Sequence, residues 1–189
     1  MFEDKHIVLA SSSPRRRELL ARAEIAFTVK VSPVEEDFPR DLPLREIPEY
    51  LAGKKALATQ RICRPEAFIL AADTIVLLED RVIGKPRDED DAKEILMALS
   101  GKAHEVITGV CLLQGDRIRK FSEATKVYFY DLSPEQISHY TSRYQPLDKA
   151  GAYGIQEWIG LTGIKKIEGD YFNVVGLPVG RVVQEIGRF

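Results

Sequence analysis

Along the chain, apolar runs alternate with amphipathic stretches, and each change of period falls on a turn or capping residue. Residues 6–10 form a short β-branched run that stops at Ser11-Ser12-Ser13-Pro14, which predicts a buried strand turning into a helix. Ser13 is placed to cap that helix with Pro14 at its first position, and Leu19, Leu20 and Ala23 mark one apolar face. A second strand over 27–31 precedes a polar, proline-containing loop over 32–44. The next helix runs from Pro48 to about Ile62, with Leu51, Lys55, Ala58 and Ile62 along its predicted stripe. Residues 68–78 read as a central strand that Glu79-Asp80 turns into a shorter one over 81–83. A helix capped near Asp88 then buries Ala92, Ile95, Leu96 and Leu99 before Gly101 ends it. Two alternating strands, 105–114 and 117–131, are joined by Gly115-Asp116 and predict an antiparallel hairpin. Ser133-Pro134-Glu135-Gln136 is a capping-box signature for a helix whose apolar face is Ile137, Tyr140, Thr141 and Tyr144. A strand over 171–175 and a helix from Pro178 bearing Val179, Val182, Val183 and Ile186 are expected last.

Strands alternating with helices favour the α/β class, and the long hairpin requires a mixed rather than wholly parallel central β-sheet flanked by helices. With 189 residues and no repeat or composition shift, a single domain over 1–189 is expected. The 44% hydrophobic and 30% charged composition excludes a disordered or fibrous chain. Lys and Arg number 27 against 29 Asp and Glu, for a formal charge of −2, so no global positive field attracts nucleic acid or anionic lipid. Any phosphate site must therefore be built locally. Cys63 and Cys111 lack zinc or redox spacing, which suits a reduced intracellular protein. Residues 1–6 are polar and the apolar run at 7–10 is too short for a signal peptide or membrane span, so a cytoplasmic location is expected.

Four stretches carry candidate chemistry. Ser11-Ser12-Ser13-Pro14-Arg15-Arg16-Arg17 places hydroxyls and guanidinium groups at a helix N-terminus, where free N–H groups and the positive dipole end favour phosphate. The alternative is a capped surface helix with solvated arginines, and the missing glycines exclude a Walker loop. Asp73 stands in the middle of an otherwise apolar or small strand, where a carboxylate asks for a cation or metal; a hydrogen-bonded structural aspartate is the alternative. Lys85, after the following turn, either returns toward Asp73 or is solvated, and Lys55 either snorkels or meets an anion. Glu35-Glu36 is either surface charge or, together with Asp73, a source of the oxygen ligands Mg²⁺ prefers. Finally, Asp148-Lys149-Ala150-Gly151-Ala152-Tyr153-Gly154-Ile155-Gln156 suggests either close backbone approach to something flat, with Gln156 along one edge, or a tight structural loop.

Taken together, the chain resembles the Maf family of nucleotide pyrophosphatases over nearly its whole length. The resemblance rests on Leu9-Ala10-Ser11-Ser12-Ser13-Pro14-Arg15-Arg16, Glu35-Glu36, Lys55-Ala56, Ala72-Asp73-Thr74, Gly84-Lys85-Pro86-Arg87, Leu99-Ser100-Gly101 with His104, the stretch from Pro146 to Gln156, and Val175-Gly176-Leu177-Pro178. It implies an elongated fold with a cleft between two lobes, often a homodimer, and hydrolysis of nucleoside triphosphates to monophosphate and pyrophosphate with a divalent cation, Mg²⁺ or Mn²⁺. Carried over by position, Asp73 matches the general base. Arg15, Thr74 and Gln156 match positions of substrate choice, Ser11, Arg16, Lys55 and Lys85 match phosphate-binding positions, and Glu36 with Asp73 would hold the metal. The Gly-Ile-Gln form resembles the dTTP and UTP branch, with modified pyrimidine triphosphates open and a role in clearing non-standard nucleotides or arresting division. The implied alternatives are a nucleotide-binding regulator of septum formation and the same reaction on 7-methyl-GTP. Two positions depart from the family pattern: Glu157, before Trp158, replaces the usual glycine and bears on the base pocket, and Lys54, where an acid is common, points away from the predicted stripe.

Overall fold

The computed structural model of the chain describes residues 6–189, so the first five residues of the polar opening lie outside the described residues. The elements in order are β1 (Ile7–Leu9), α1 (Pro14–Arg22), β2 (Phe27–Val29), α2 (Ile47–Gln60), β3 (Phe68–Leu78), β4 (Arg81–Ile83), α3 (Glu89–Leu99), β5 (Ala103–Gln114) and β6 (Arg117–Phe129). They continue with α4 (Pro134–Tyr144), α5 (Trp158–Gly163), β7 (Ile164–Glu168), α6 (Tyr171–Val175) and α7 (Val179–Arg188). Among the described residues, seven strands form one sheet in the order β2-β1-β3-β5-β6-β7, with β4 joined to β3. The sheet is mixed: β1 lies parallel to both β2 and β3, whereas β4 is antiparallel to β3 and β7 to β6. Among the described residues, no helix is long and apolar enough to cross a membrane.

The backbone groups into two compact units: residues up to Thr74 with 108–123 and 176–189, and residues 75–107 with 124–175. In the first unit, Val8, Ala10, Ile69 and Ala71 of the parallel strands pack with Ala52 and Ala56 of α2 and with Cys111 and Leu113 of β5. Small residues on α2 let its backbone come down onto β5. At Gly109 an added Cβ would lie 2.1 Å from the Glu49 nitrogen and 2.2 Å from the Pro48 carbonyl carbon, so only glycine admits this contact. The buried residues of α2 are accordingly Ile47, Pro48, Leu51, Ala52, Gly53, Ala56 and Thr59, rotated from the predicted stripe. Lys55 is left on the border of the buried face, and Ile62 lies beyond the helix end and is 52% exposed.

In the second unit, Val76, Val106 and Val127 form a small core closed by Ile83, Ala150, Ile164 and Val174. One expectation fails here. Residues 171–175 are a helix, because the Asp170 carboxylate accepts the Phe172 N–H at 2.8 Å and starts a turn despite the aromatic and β-branched composition. The strand lies at 164–168 instead, a polar, mostly exposed segment that pairs with β6 and shows little apolar alternation. His104 is buried against Phe129 and Tyr153; its Nε2 hydrogen-bonds the Tyr153 hydroxyl at 2.8 Å and its Nδ1 has no partner.

Two outcomes follow from this packing. Gly109→Ala forces α2 off β5 and should lower the unfolding free energy by about 2 kcal/mol or more, read as a shift of the urea midpoint. Burial holds the His104 imidazole down at about 4, against an ordinary 6.5, so the native state stays neutral where the unfolded chain takes up a proton. Stability from this group is therefore complete above pH 6.5 and falls as pH drops toward 4, by about 3 kcal/mol in all. Denaturation curves at pH 7 and pH 4.5 should show that loss in the native chain and not in His104→Gln.

Candidate active site

The sequence-predicted residues of the first unit fall into two linked clusters. The first is built around Arg16. Ser13 caps α1, its hydroxyl accepting the Arg16 N–H at 3.4 Å, and Pro14 occupies the first turn, where no N–H is needed. The Ser11 hydroxyl accepts the Ser13 N–H at 3.3 Å and the Arg16 Nη1 at 3.1 Å. Arg16 is 9% exposed and donates further from Nε to the Gly176 carbonyl at 2.8 Å, from Nη1 to the Ala72 carbonyl at 2.8 Å and from Nη2 to the Thr74 hydroxyl at 2.9 Å. The Thr74 hydroxyl in turn hydrogen-bonds that of Thr108 at 2.9 Å. Burial pulls the Arg16 guanidinium below its ordinary value while Asp73 and, more weakly, Glu36 oppose that shift; arginine keeps its charge in either case. Four of its five N–H groups are committed to the protein.

The second cluster surrounds Asp73. Side chains alternate along β3, so Thr74 turns to Arg16 and Asp73 to α2. There Lys55 Nζ donates to Asp73 Oδ1 at 2.5 Å and to Glu36 Oε1 at 2.7 Å, one ammonium bridging two carboxylates. Asp73 is 9% exposed and Glu36 largely open, so the bridge runs from the strand interior to solvent. The expected phosphate ligand Lys55 is thus engaged by the two acids expected to hold metal. Among the described residues no group of three or more His, Cys, Asp or Glu is gathered as a metal cage. Two carboxylates converging on one cationic position nonetheless suit Mg²⁺, which commonly takes one or two protein carboxylates and completes its shell with phosphate oxygens and water.

Lys54, which the stripe argument passes over, has a definite task. Its Nζ donates to the Glu35 carbonyl at 3.0 Å, to the Asp37 carbonyl at 3.1 Å and to the Asp37 carboxylate, tying the 35–37 loop to α2 and presenting Glu36 to Lys55. The bond to Asp37 raises the Lys54 ammonium above its ordinary value and lowers the Asp37 carboxyl. A lysine pair on a helix opposite a run of acids is the signal that could have found it. Gly109, which sets the height of α2, carries no comparable signal because a lone glycine in a strand has many causes.

Arg15 is half-buried on α1. Lys85 and Gln156 belong to the second unit, and both are exposed. Lys85 follows Gly84, whose carbonyl accepts the Gly151 N–H at 3.1 Å and so ties the 84–85 turn to the loop that leads to Gln156.

Comparison with known proteins gives a consistent result. The Maf-like protein family matches residues 6–189. The chain is 51% identical over 188 residues to a dTTP/UTP pyrophosphatase of Phocaeicola vulgatus, covering 99% of this chain and 97% of that one. It is 46% identical to one of Bacteroides thetaiotaomicron, over 98% and 97% of the two chains, and 48% identical to one of Cytophaga hutchinsonii, over 96% and 83%.

Arg16→Lys keeps the charge and loses the fork, stranding the Gly176 and Ala72 carbonyls that one ammonium cannot serve together with Thr74. The variant should lose about 3 kcal/mol of stability in urea denaturation, far more than Arg17→Lys at the exposed neighbouring position.

Proposed function

Because the chain belongs to the Maf-like protein family, we propose that it is a nucleoside triphosphate pyrophosphatase acting on dTTP and UTP, releasing nucleoside monophosphate and pyrophosphate. The observation that carries the chemistry is the buried Asp73 carboxylate held by Lys55 in the middle of β3. Water attack on the α-phosphorus needs a base to orient and deprotonate it, and breaks the α–β bridging bond. Asp73 is that base in this reading: it takes the proton, the hydroxyl joins the α-phosphorus, and pyrophosphate leaves with the bridging oxygen. Buried carboxylates with a specific charge partner concentrate at functional sites, which supports the assignment.

Glu36 and Asp73 are the residues that would hold a divalent cation, Mg²⁺ or Mn²⁺, and such a cation neutralises triphosphate charge when bound. Lys55 balances the two carboxylates. Lys55 is assigned to phosphate on its motif position, and its ammonium beside Asp73 and Glu36 would stand next to triphosphate oxygens bound there. Ser11 and the remaining N–H of Arg16 sit with the N-terminus of α1, which favours an anion by its free N–H groups and dipole. Lys85 is assigned to phosphate, and Arg15 and Thr74 to substrate choice, on their motif positions. Gln156 can accept the uracil or thymine N3–H while donating to O4. The same reading carries a homodimer working in the cytoplasm on free nucleotides, modified pyrimidines among them.

Pyrophosphate release from dTTP, UTP, CTP, GTP, 7-methyl-GTP and ITP, with Mg²⁺ or Mn²⁺, tests this. Turnover of dTTP and UTP is expected, falling about 10³-fold in Asp73→Asn while nucleotide still binds. Full activity in that variant removes Asp73 as the base, and release only from 7-methyl-GTP or a purine triphosphate overturns the substrate assignment. Silence across the panel from folded protein that still binds nucleotide moves the reading to a regulator.

A further inference from the structure

The four-residue turn 154–157 presents Gln156 as its exposed member, and a hydrogen bond from the Glu157 N–H to the Gly154 carbonyl at 3.0 Å closes it. The buried Tyr140 of α4 holds both ends of this turn through one hydroxyl. That hydroxyl accepts the Gly154 N–H at 3.0 Å and donates to the Glu157 carboxylate. The other carboxylate oxygen meets Lys149 Nζ at 3.1 Å, and Lys149, 11% exposed at its side chain, also reaches Asp148 at 2.7 Å. Glu157 stands at the N-cap of α5 yet makes no capping bond there; its side chain folds back over Gly154, where an added Cβ would lie 2.8 Å from the Glu157 Cδ. On the preceding residue, the Tyr153 hydroxyl is bound to His104. Burial, and next the bond to Glu157, push the Tyr140 phenol well above its ordinary value, so it stays a donor across the working range.

A glutamine amide can turn over and offer either its oxygen or its nitrogen to the same edge of a base. Rejecting cytosine, whose edge reverses the donors and acceptors of uracil at two positions, therefore needs a backbone that limits the amide's approach. We propose that Glu157 is a positioning residue which, through Tyr140 and Lys149, fixes the backbone of Gln156 and so sets discrimination between uracil or thymine and cytosine. The proposal rests on the reading of Gln156 as the base-contacting residue. Loss of the carboxylate frees the turn at its C-terminal end, strips Lys149 of its better-buried partner and leaves the Tyr140 proton without its acceptor.

The test is steady-state pyrophosphate release from UTP and CTP by the native chain, Glu157→Ala, Glu157→Gln, Tyr140→Phe and Gln156→Ala. Glu157→Ala and Tyr140→Phe should raise KM for UTP and narrow the UTP-over-CTP preference in kcat/KM, each by about tenfold, with kcat for UTP within roughly twofold. Glu157→Gln, which retains an oxygen for Tyr140, should recover most of the preference. An unchanged preference in folded Glu157→Ala, or a fall in kcat at constant KM, overturns the proposal. Should Glu157→Ala fail to fold, Tyr140→Phe, which removes a single hydroxyl, decides by the same criteria. If Gln156→Ala loses the preference while the Glu157 and Tyr140 variants keep it, only the positioning role falls. If Gln156→Ala keeps it, the base-contacting assignment falls and the proposal with it.

Discussion

A carboxylate in the interior of an eleven-residue buried strand must have a cation beside it, and much of the first unit is arranged to supply one. Asp73 cannot draw that charge from β3, whose other residues are apolar or small apart from Thr74. The cation comes from Lys55 on α2. To reach it, α2 must lie close to the sheet, which its alanines and the bare Cα of Gly109 permit. The 35–37 loop must also fold back to α2, where Lys54 holds it so that Glu36 shares the Lys55 ammonium.

Arg16 solves a different problem. The segment before α1, the middle of β3 and the start of the C-terminal segment all bring backbone carbonyls or hydroxyls to one place, and a planar guanidinium with its donors in fixed directions satisfies them together. A serine and an arginine on a phosphate-type helix N-terminus thus form a structural joint. The joint and the Asp73 cluster still act on one another, because the negative charge of Asp73 offsets part of the desolvation that Arg16 suffers. Stability and the proposed anion binding would draw on the same residues, as where charges are buried near a site.

The second unit keeps its polar groups in a different balance. Its buried His104 and Tyr153 share one hydrogen bond and aromatic packing, the Tyr140 hydroxyl joins Gly154 to Glu157, and the well-shielded Lys149 is paired with Asp148 and Glu157. Few of these contacts are redundant. The loop carrying Gln156 therefore owes its conformation to side chains from α4 and β5 as much as to its own glycines.

By itself the sequence determined the element order through α4, the mixed sheet, the capped start of α1 and the need for a cation at Asp73, because each rests on local periodicity, on capping chemistry or on the cost of a charge in an apolar run. It also carried enough ordered motifs to mark the family. Helix α6 and strand β7 are not legible in the sequence, because Asp170 starts a turn that composition does not show and because an edge strand with one partner needs no apolar alternation. Only the tertiary structure decided that Lys55 bridges Glu36 and Asp73, that Lys54 ties down the loop between them, and that Glu157 folds back onto Tyr140. Those are pairings between residues 17 to 19 positions apart, made by long side chains whose direction depends on how closely a helix or turn docks. Docking distance is set by what is missing at Gly109 and Gly154, and a missing side chain leaves no periodic trace in a sequence.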